Sequence, residues 1–276
     1  MNIPDSATAN QHASNNDAGA TPKKANWAEL LVEAVKTPGM ISQAYSAFHA
    51  YSTGNQILAL MQCIQRGIAP GPLNTFPGWK KLGRNVRKGQ KAIWLCMPLS
   101  IKRKADDARD SEDERQATIF VFKPHWFVME QTEGDAVPMP DMPEWDIDRA
   151  LDRLEIRRVP FTSLNGNAMG YAKDQEIAIS PLAPLPWKTL FHEMAHCALG
   201  HTSEGALTDG TQTPRNLREV EAEAVALLCC DSLGLEGGDY CRGYIQSWLE
   251  GDVIPEKSAQ KIFRSADLIL RAGRAA

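Results

Sequence analysis

The spacing of apolar residues predicts a chain of helices interrupted by a few strands. Apolar side chains recur at helical spacing over residues 27–35, after Asn26 as N-cap and Glu29 as the partner of a capping box. Similar spacing predicts helices at about 41–65 (with a break near 52–54), 146–157, 186–199, 217–233, 239–250 and 256–272. Residues 92–98 and 118–128 are rich in β-branched and aromatic side chains and predict strands, and 171–180 predicts a strand or hairpin.

The segments between these elements suggest two domains. Residues 1–24 are polar and predict a disordered leader, 69–78 predict a Pro/Gly loop, and 102–116 predict a charged, exposed loop. Three prolines within 133–145 indicate a linker. We therefore expect an α+β fold with a first domain at 25–135, a linker at 136–145 and a mostly helical second domain with a small sheet at 146–276.

Composition excludes several classes of protein. The chain has 276 residues, of which 43% are hydrophobic and 23% charged, which is ordinary globular usage. No apolar run reaches the roughly 18 residues that a membrane span requires, and the polar leader is not a signal peptide. The six cysteines form no C-x-x-C pair. These features favour a cytoplasmic protein with reduced thiols over a secreted or membrane protein.

Charge is distributed unevenly. The net charge is −4, yet no Asp or Glu occurs between Glu33 and Asp106, a segment with eleven Lys and Arg. Within it, Trp79–Trp94 (WKKLGRNVRKGQKAIW) combines basic and aromatic side chains, as in nonspecific single-strand binders, where bases stack on aromatic rings. The alternative is a solvated basic face over core tryptophans. The candidate DNA contacts are Trp79, Lys80, Lys81, Arg84, Arg87, Lys88 and Lys91, and Gly83 and Gly89 suggest turns.

The strongest chemical signal is His-Glu-Met-Ala-His at residues 192–196. On a helix, residues four apart share a face, so His192 and His196 can bind one divalent metal ion. Glu193 lies beside them, where it can act as general base toward water. Zinc is the expected ion, and manganese is compatible with the same ligands.

A third ligand is expected from the acidic helix downstream. Glu219 and Glu223 are four apart and share a face, whereas Glu221 points about 200° away from Glu219. We favour Glu219 as ligand and Glu223 as the carboxylate that orients a histidine, and the reverse assignment stays open. His201, after Gly200, is expected to have a structural role more than a metal-binding one.

These motifs, in this order, resemble the ArdC-type antirestriction family. Residues 51–62 (YSTGNQILALMQ), 79–93 and 122–134 (FKPHWFVMEQTEG) resemble its N-terminal single-stranded-DNA-binding domain. Residues 192–196 and 218–226 resemble its zincin-like metallopeptidase domain. The charged segment 102–116 has no counterpart that we can place in the family.

The resemblance implies a bacterial protein, encoded on a plasmid or other mobile element, that binds incoming single-stranded DNA nonspecifically and helps it escape host restriction. It also implies a zinc-dependent metallopeptidase that could cleave a protein substrate, with Glu193 as base and Tyr171 as a weak candidate for stabilising the oxyanion. The alternative hypothesis is a regulatory metalloprotease that cleaves a repressor or partner protein, with the basic domain only localising it to DNA. A third is a binding module whose metal site is structural.

Overall fold

The computed structural model describes residues 25–102, 116–163, 168–202 and 213–275, and in these ranges the chain is α+β. The predicted leader at 1–24 and most of the predicted loop at 102–116 lie outside the described residues. The helices are α1 (Trp27–Lys36), α2 (Met40–Phe48), α3 (Thr53–Arg66), α4 (Phe76–Lys81), α5 (Ile147–Arg153), α6 (Pro186–Ala198), α7 (Arg215–Leu233), α8 (Gly238–Leu249) and α9 (Glu256–Ala272). The strands are β1 (Leu73–Thr75), β2 (Arg84–Val86), β3 (Ile93–Lys102), β4 (Gln116–Val128), β5 (Thr132–Gly134), β6 (Arg157–Arg158), β7 (Gly170–Lys173) and β8 (Glu176–Ile179).

Local signals place the first helices as predicted. The Asn26 side chain accepts hydrogen bonds from the backbone N–H groups of Ala28 and Glu29 at the start of α1. The break predicted near 52–54 lies slightly earlier, at residues 49–52 between α2 and α3, and Gly67, in the left-handed conformation at φ 61°, ends α3. These capping groups satisfy backbone donors and acceptors that a helix end leaves unpaired.

The first half carries a three-stranded sheet in the order β1-β4-β3, in which both pairs are antiparallel. Side-chain amides of α3 bind the backbone of β3: Asn55 pairs with the N–H and C=O of Cys96 at 2.9 and 2.8 Å. Gln62 does the same with Trp94, at 2.9 Å for each bond. The helix thereby satisfies backbone groups at the sheet edge that would otherwise be unpaired.

The prediction of a loop over 69–78 is wrong in part, because β1 and the start of α4 lie there. β1 has only three residues and exists by pairing with β4, 51 to 55 positions away, as in Leu73↔Val128. Local sequence carries little information about such a pairing. The short ribbon of β2 and β5 was likewise not predicted, for the same reason.

In the second half, α7 is central. Twelve of its residues from Val220 to Ser232 are buried, and it packs against α6, α8 and α9. The sheet β6-β8-β7 lies against α6, with β7 antiparallel and β6 parallel to β8. The predicted helices at 186–199, 217–233, 239–250 and 256–272 are confirmed within two residues at each end.

Helices of the two halves pack together. α1 contacts α8 and α9, α2 contacts α7, and α3 contacts α9, so buried apolar side chains from both halves form one cluster. The six cysteines, all within the described ranges, are unpaired; Cys96 is half-buried and the other five are buried. None of the helices in the described ranges has the length and apolar character needed to cross a membrane.

Candidate metal centre

Helix α6 carries the two histidines. Pro186 opens the helix at its first position, where a missing N–H costs nothing. His192 and His196 lie one turn apart, with their Nε2 atoms 3.1 Å from each other and both side chains 14% exposed. The two imidazoles therefore point at one place on the helix surface, as the spacing predicts.

Helix α7 adds a carboxylate to this place. Glu219 Oε2 lies 3.4 Å from His192 Nε2 and 3.7 Å from His196 Nε2, and one ligand atom from each residue lies within 4.8 Å of the others. Tetrahedral ligation at about 2.0–2.1 Å requires ligand atoms about 3.3 Å apart. Two imidazoles and a carboxylate at these separations fit zinc, and the same donor types also suit manganese.

Glu223 lies outside this cluster. Its Oε1 is 2.5 Å from Lys188 Nζ and 3.8 Å from His192 Nδ1. Burial opposes the charge on Glu223, but His192 and Lys188 lower its pKa to about 2. Burial likewise opposes the charge on His192, but the neighbouring carboxylates of Glu219 and Glu223 raise its pKa to about 9. Glu223 thus faces the nitrogen of His192 that points away from Glu219.

Glu193 is 7% exposed and lies under strand β7. A Cβ added at Gly170 would come 2.8 Å from Glu193 Oε1, so the carboxylate occupies the space that this glycine leaves. Burial raises the pKa of Glu193, and the neighbouring His192 and His196 oppose that rise. Such a carboxylate is more basic than an exposed one, which suits proton transfer.

Sequence reasoning missed the roles of two neighbouring side chains. His201 Nδ1 lies 3.0 Å from His196 Nδ1, and His201 Nε2 lies 2.9 Å from Glu221 Oε2. The predicted direction of Glu221, away from Glu219, is what brings it to His201. The pattern Gly-His directly after the helix was the available signal, but it does not reveal which group the histidine meets.

The tyrosine suggested for the oxyanion, Tyr171, lies on β7 next to Gly170. Its ring packs beside Phe161 at a centroid distance of 5.9 Å. No contact of the described structure joins Tyr171 to the histidines, so its role stays a prediction.

The prediction that Trp79 contacts DNA is wrong. Its ring is 1% exposed, and its indole N–H donates to the carbonyl of Phe127 at 2.7 Å. Because the ring is inside the core, it cannot stack on a base. The alternative interpretation of this tryptophan as a core residue holds.

The basic residues near Trp79 differ in how exposed their side chains are, and so in how readily they could contact DNA. Arg84 is half-buried, and its guanidinium donates to the hydroxyl and carbonyl of Thr132 at 2.7 and 3.2 Å and to the carbonyls of Gly134 and Asp135. Arg84 is thus engaged in holding β2 to β5. The exposed residues are Lys80, Lys81, Arg87, Lys88 and Lys91. Gly83 and Gly89 adopt φ of 74° and 86°, which confirms the predicted turns.

Comparison with known proteins agrees with this architecture. Residues 14–126 match the model of the N-terminal domain of anti-restriction factor ArdC. The fold also matches two crystal structures of the antirestriction ArdC protein from plasmid R388. A search of curated proteins found no match.

The metal-free R388 structure aligns with a TM-score of 0.51 and 19% identity over 90% of this chain and 94% of that one. The Mn(II)-bound structure aligns with a TM-score of 0.52 and 19% identity over 91% and 98%. Residues 14–126 are therefore similar to the N-terminal domain of ArdC, and the fold of the R388 protein extends over nearly the whole chain.

Proposed function

We propose that this chain is an antirestriction protein that binds single-stranded DNA without sequence preference and carries a zincin-like HExxH metallopeptidase site. The cluster of His192, His196 and Glu219 with the buried Glu193 beside it carries the proposal. It occurs in a chain whose first domain is of the ArdC type. Of the two R388 structures, one holds Mn(II), which supports a divalent ion as the cofactor.

The DNA interface that we propose is the exposed basic surface around α4 and the turns that follow it. It consists of Lys80, Lys81, Arg87, Lys88 and Lys91. Phe76, which is 51% exposed, lies one helical turn before Lys80 on α4 and offers an aromatic ring in place of the buried Trp79. Lysines and arginines neutralise phosphates irrespective of base, and stacking on an aromatic ring is also tolerant of sequence.

In the metal centre, His192, His196 and Glu219 would hold the divalent ion. When bound, the ion supplies Lewis-acid polarisation of a scissile carbonyl. Glu193 accepts a proton from the attacking water and returns it to the leaving amine. Glu223 keeps His192 oriented from the opposite side of its ring, and Lys188 fixes Glu223 in turn.

The DNA proposal is tested by fluorescence anisotropy with single-stranded and double-stranded oligonucleotides over a range of salt concentrations. The triple variant Lys80→Ala/Lys81→Ala/Lys88→Ala is compared with Arg158→Ala/Lys173→Ala/Arg264→Ala, which removes three exposed cations of the second half. Each lost phosphate contact lowers the salt slope by about 0.7, so we expect a decrease of about 2 in the first variant alone. Equal binding by both variants would refute the proposed surface.

The peptidase proposal is tested with Glu193→Ala. The variant should retain its metal and lose any proteolysis, because the ligands are intact and the base is absent. Cleavage that persists in this variant would show that Glu193 is not the base. If the variant still binds DNA but no longer protects incoming DNA from restriction, the regulatory-protease hypothesis is favoured over DNA binding alone.

A further inference from the structure

His201 and Glu221 form a series of hydrogen-bonded side chains behind His196, on the side away from Glu219. His201 Nδ1 is 3.0 Å from His196 Nδ1, and Glu221 Oε2 is 2.9 Å from His201 Nε2. His196 Nε2 faces His192 and Glu219. Thus both nitrogens of His196 and both nitrogens of His201 have a partner.

The local sequence explains how His201 reaches this position. Gly200, at φ 74°, ends α6 in the left-handed conformation, and its N–H donates to Cys197 O at 3.0 Å. The N–H of His201 then donates to His196 O at 2.9 Å. This is the Schellman arrangement, and it turns the chain back so that the His201 ring meets the ring of His196.

The contact between His201 and Glu221 is buried. The side chains of Glu221 and His201 are 2% and 9% exposed. A buried carboxylate is costly unless it is hydrogen-bonded, and Glu221 has His201 on one side and the hydroxyl of Ser258, on α9, on the other. The end of α6, the centre of α7 and the start of α9 therefore meet at this carboxylate.

The hydrogen bonds from His196 through His201 to Glu221 are consistent with only one placement of the protons on the two imidazole rings. A histidine that binds a metal through Nε2 carries its proton on Nδ1. His196 Nδ1–H then donates to His201 Nδ1, which leaves the His201 proton on Nε2. His201 Nε2–H donates in turn to Glu221, which as a carboxylate only accepts.

We propose that Glu221 and His201 are positioning residues that fix the ring orientation and tautomer of His196 toward the metal. The proposal rests on the metal site of the proposed function. It gives each histidine ligand its own supporting carboxylate, since Glu223 faces Nδ1 of His192 at 3.8 Å, while Glu221 acts on His196 through His201. Such supporting groups typically change metal affinity by about 10–100-fold.

The test is a double-mutant cycle on zinc affinity, measured by competition with a chromophoric chelator. His201→Phe removes the acceptor for His196, and Glu221→Gln removes the charge. We expect each to weaken zinc binding by about 10–100-fold, and the double variant to be little weaker than the worse single one, because both act through one chain. Additive losses, or affinities equal to wild type in folded variants, would overturn the proposal.

Asp231→Asn is the matched control, because it removes another carboxylate of α7, one that pairs with Arg242 at 2.6 Å and not with a histidine. Its zinc affinity should equal that of wild type. A wild-type protein that binds neither zinc nor manganese would defeat the proposed metal site itself. Wild-type binding with unaffected variants would defeat the positioning chain alone.

A second measurement needs no variant. Long-range ¹H–¹⁵N spectra of the zinc-loaded wild-type protein report which nitrogen of each histidine carries the proton. We expect His201 protonated on Nε2 only and His196 on Nδ1. A His201 ring protonated on Nδ1 would overturn the proposal, even if the His201 and Glu221 variants fail to fold.

Discussion

Trp79 illustrates how a single residue can look functional in sequence and be structural in space. It is flanked by lysines in the sequence, and an aromatic residue among basic ones is compatible with a surface on which bases stack. In the structure, the short helix α4 turns the ring into the core, where the indole N–H donates a hydrogen bond to the carbonyl of Phe127 at 2.7 Å. A buried indole contributes through packing and this hydrogen bond.

Replacing this ring should therefore affect stability. We expect Trp79→Ala to lower the free energy of unfolding by about 3–5 kcal/mol, as for other buried aromatic residues. Lys80→Ala, on the exposed side of the same helix, should change it by less than about 0.5 kcal/mol. Urea unfolding measures both. A Trp79→Ala protein of wild-type stability that has lost DNA binding would contradict this assignment.

Glu219 and Glu223 share a helical face, so spacing alone left the third ligand open. In the structure, the two carboxylates have different neighbours, which distinguishes their roles. Glu219 lies 3.4 and 3.7 Å from the two imidazole Nε2 atoms, whereas Glu223 is bound to Lys188 at 2.5 Å. A carboxylate already paired with a half-buried ammonium is a poor candidate for direct ligation.

From this difference we expect unequal effects on metal binding. Glu219→Ala should weaken zinc binding by at least about 100-fold, because it removes a ligand. Glu223→Gln should weaken it by about 10-fold, because it changes only the support of His192. Equilibrium dialysis with metal analysis measures both affinities. The opposite order would make Glu223 the ligand.

At the scale of elements, the candidate site depends on how β7 lies against α6. Gly170 opens β7, and an added Cβ would meet Glu193 Oε1 and Thr189 Cγ2, both at 2.8 Å. The strand can approach the helix this closely because the glycine has no side chain. Strand and helix together set the position of the buried Glu193 carboxylate.

Gly170→Ala should displace Glu193 and leave the metal ligands in place. We expect unchanged zinc content, a loss of about 1–3 kcal/mol in stability from overpacking, and reduced hydrolysis of any substrate. Gly243→Ala is the control, because this glycine of α8 has open space around its Cβ and alanine favours helix. Thermal unfolding and metal analysis compare the two. Equal stability of both variants would show that β7 can move away from α6.

Across the whole molecule, buried polar groups fasten the first half to the second. Arg242 of α8 is 6% exposed and donates to the carbonyls of Ala34 and Val35, near the end of α1, at 2.9 and 2.5 Å. It also pairs with Asp231 of α7 at 2.6 Å. One side chain thus connects α1, α7 and α8 at their point of contact.

We expect Arg242→Ala to lower the free energy of unfolding by about 3–5 kcal/mol, because it removes the partner of Asp231 and of the Ala34 carbonyl and leaves the Val35 carbonyl only its longer bond from Gln246. The protein should still unfold in one calorimetric transition, since the apolar core is shared by both halves. Arg271→Ala, which breaks a half-exposed i,i+4 pair with Asp267, should cost about 1 kcal/mol, because Asp267 keeps its hydrogen bond from the Thr53 N–H. If calorimetry of the Arg242→Ala variant shows two transitions, and only one of them is shifted relative to wild type, the two halves unfold independently.

Features that depend on neighbours along the chain can be read from the sequence alone. The cap at Asn26, the helix spacing and the two histidines on one face of α6 follow from interactions over one or two turns. The sequence also carried the resemblance to the ArdC type, which the family comparison confirmed.

Features that depend on residues far apart in the sequence follow only from the packing of the folded chain. The strand β1 exists through β4, Trp79 is buried by packing, and Glu221 meets His196 only through the turn that places His201 between them. Such contacts result from the energy of packing the whole chain, and a local pattern does not specify which distant group will be the partner.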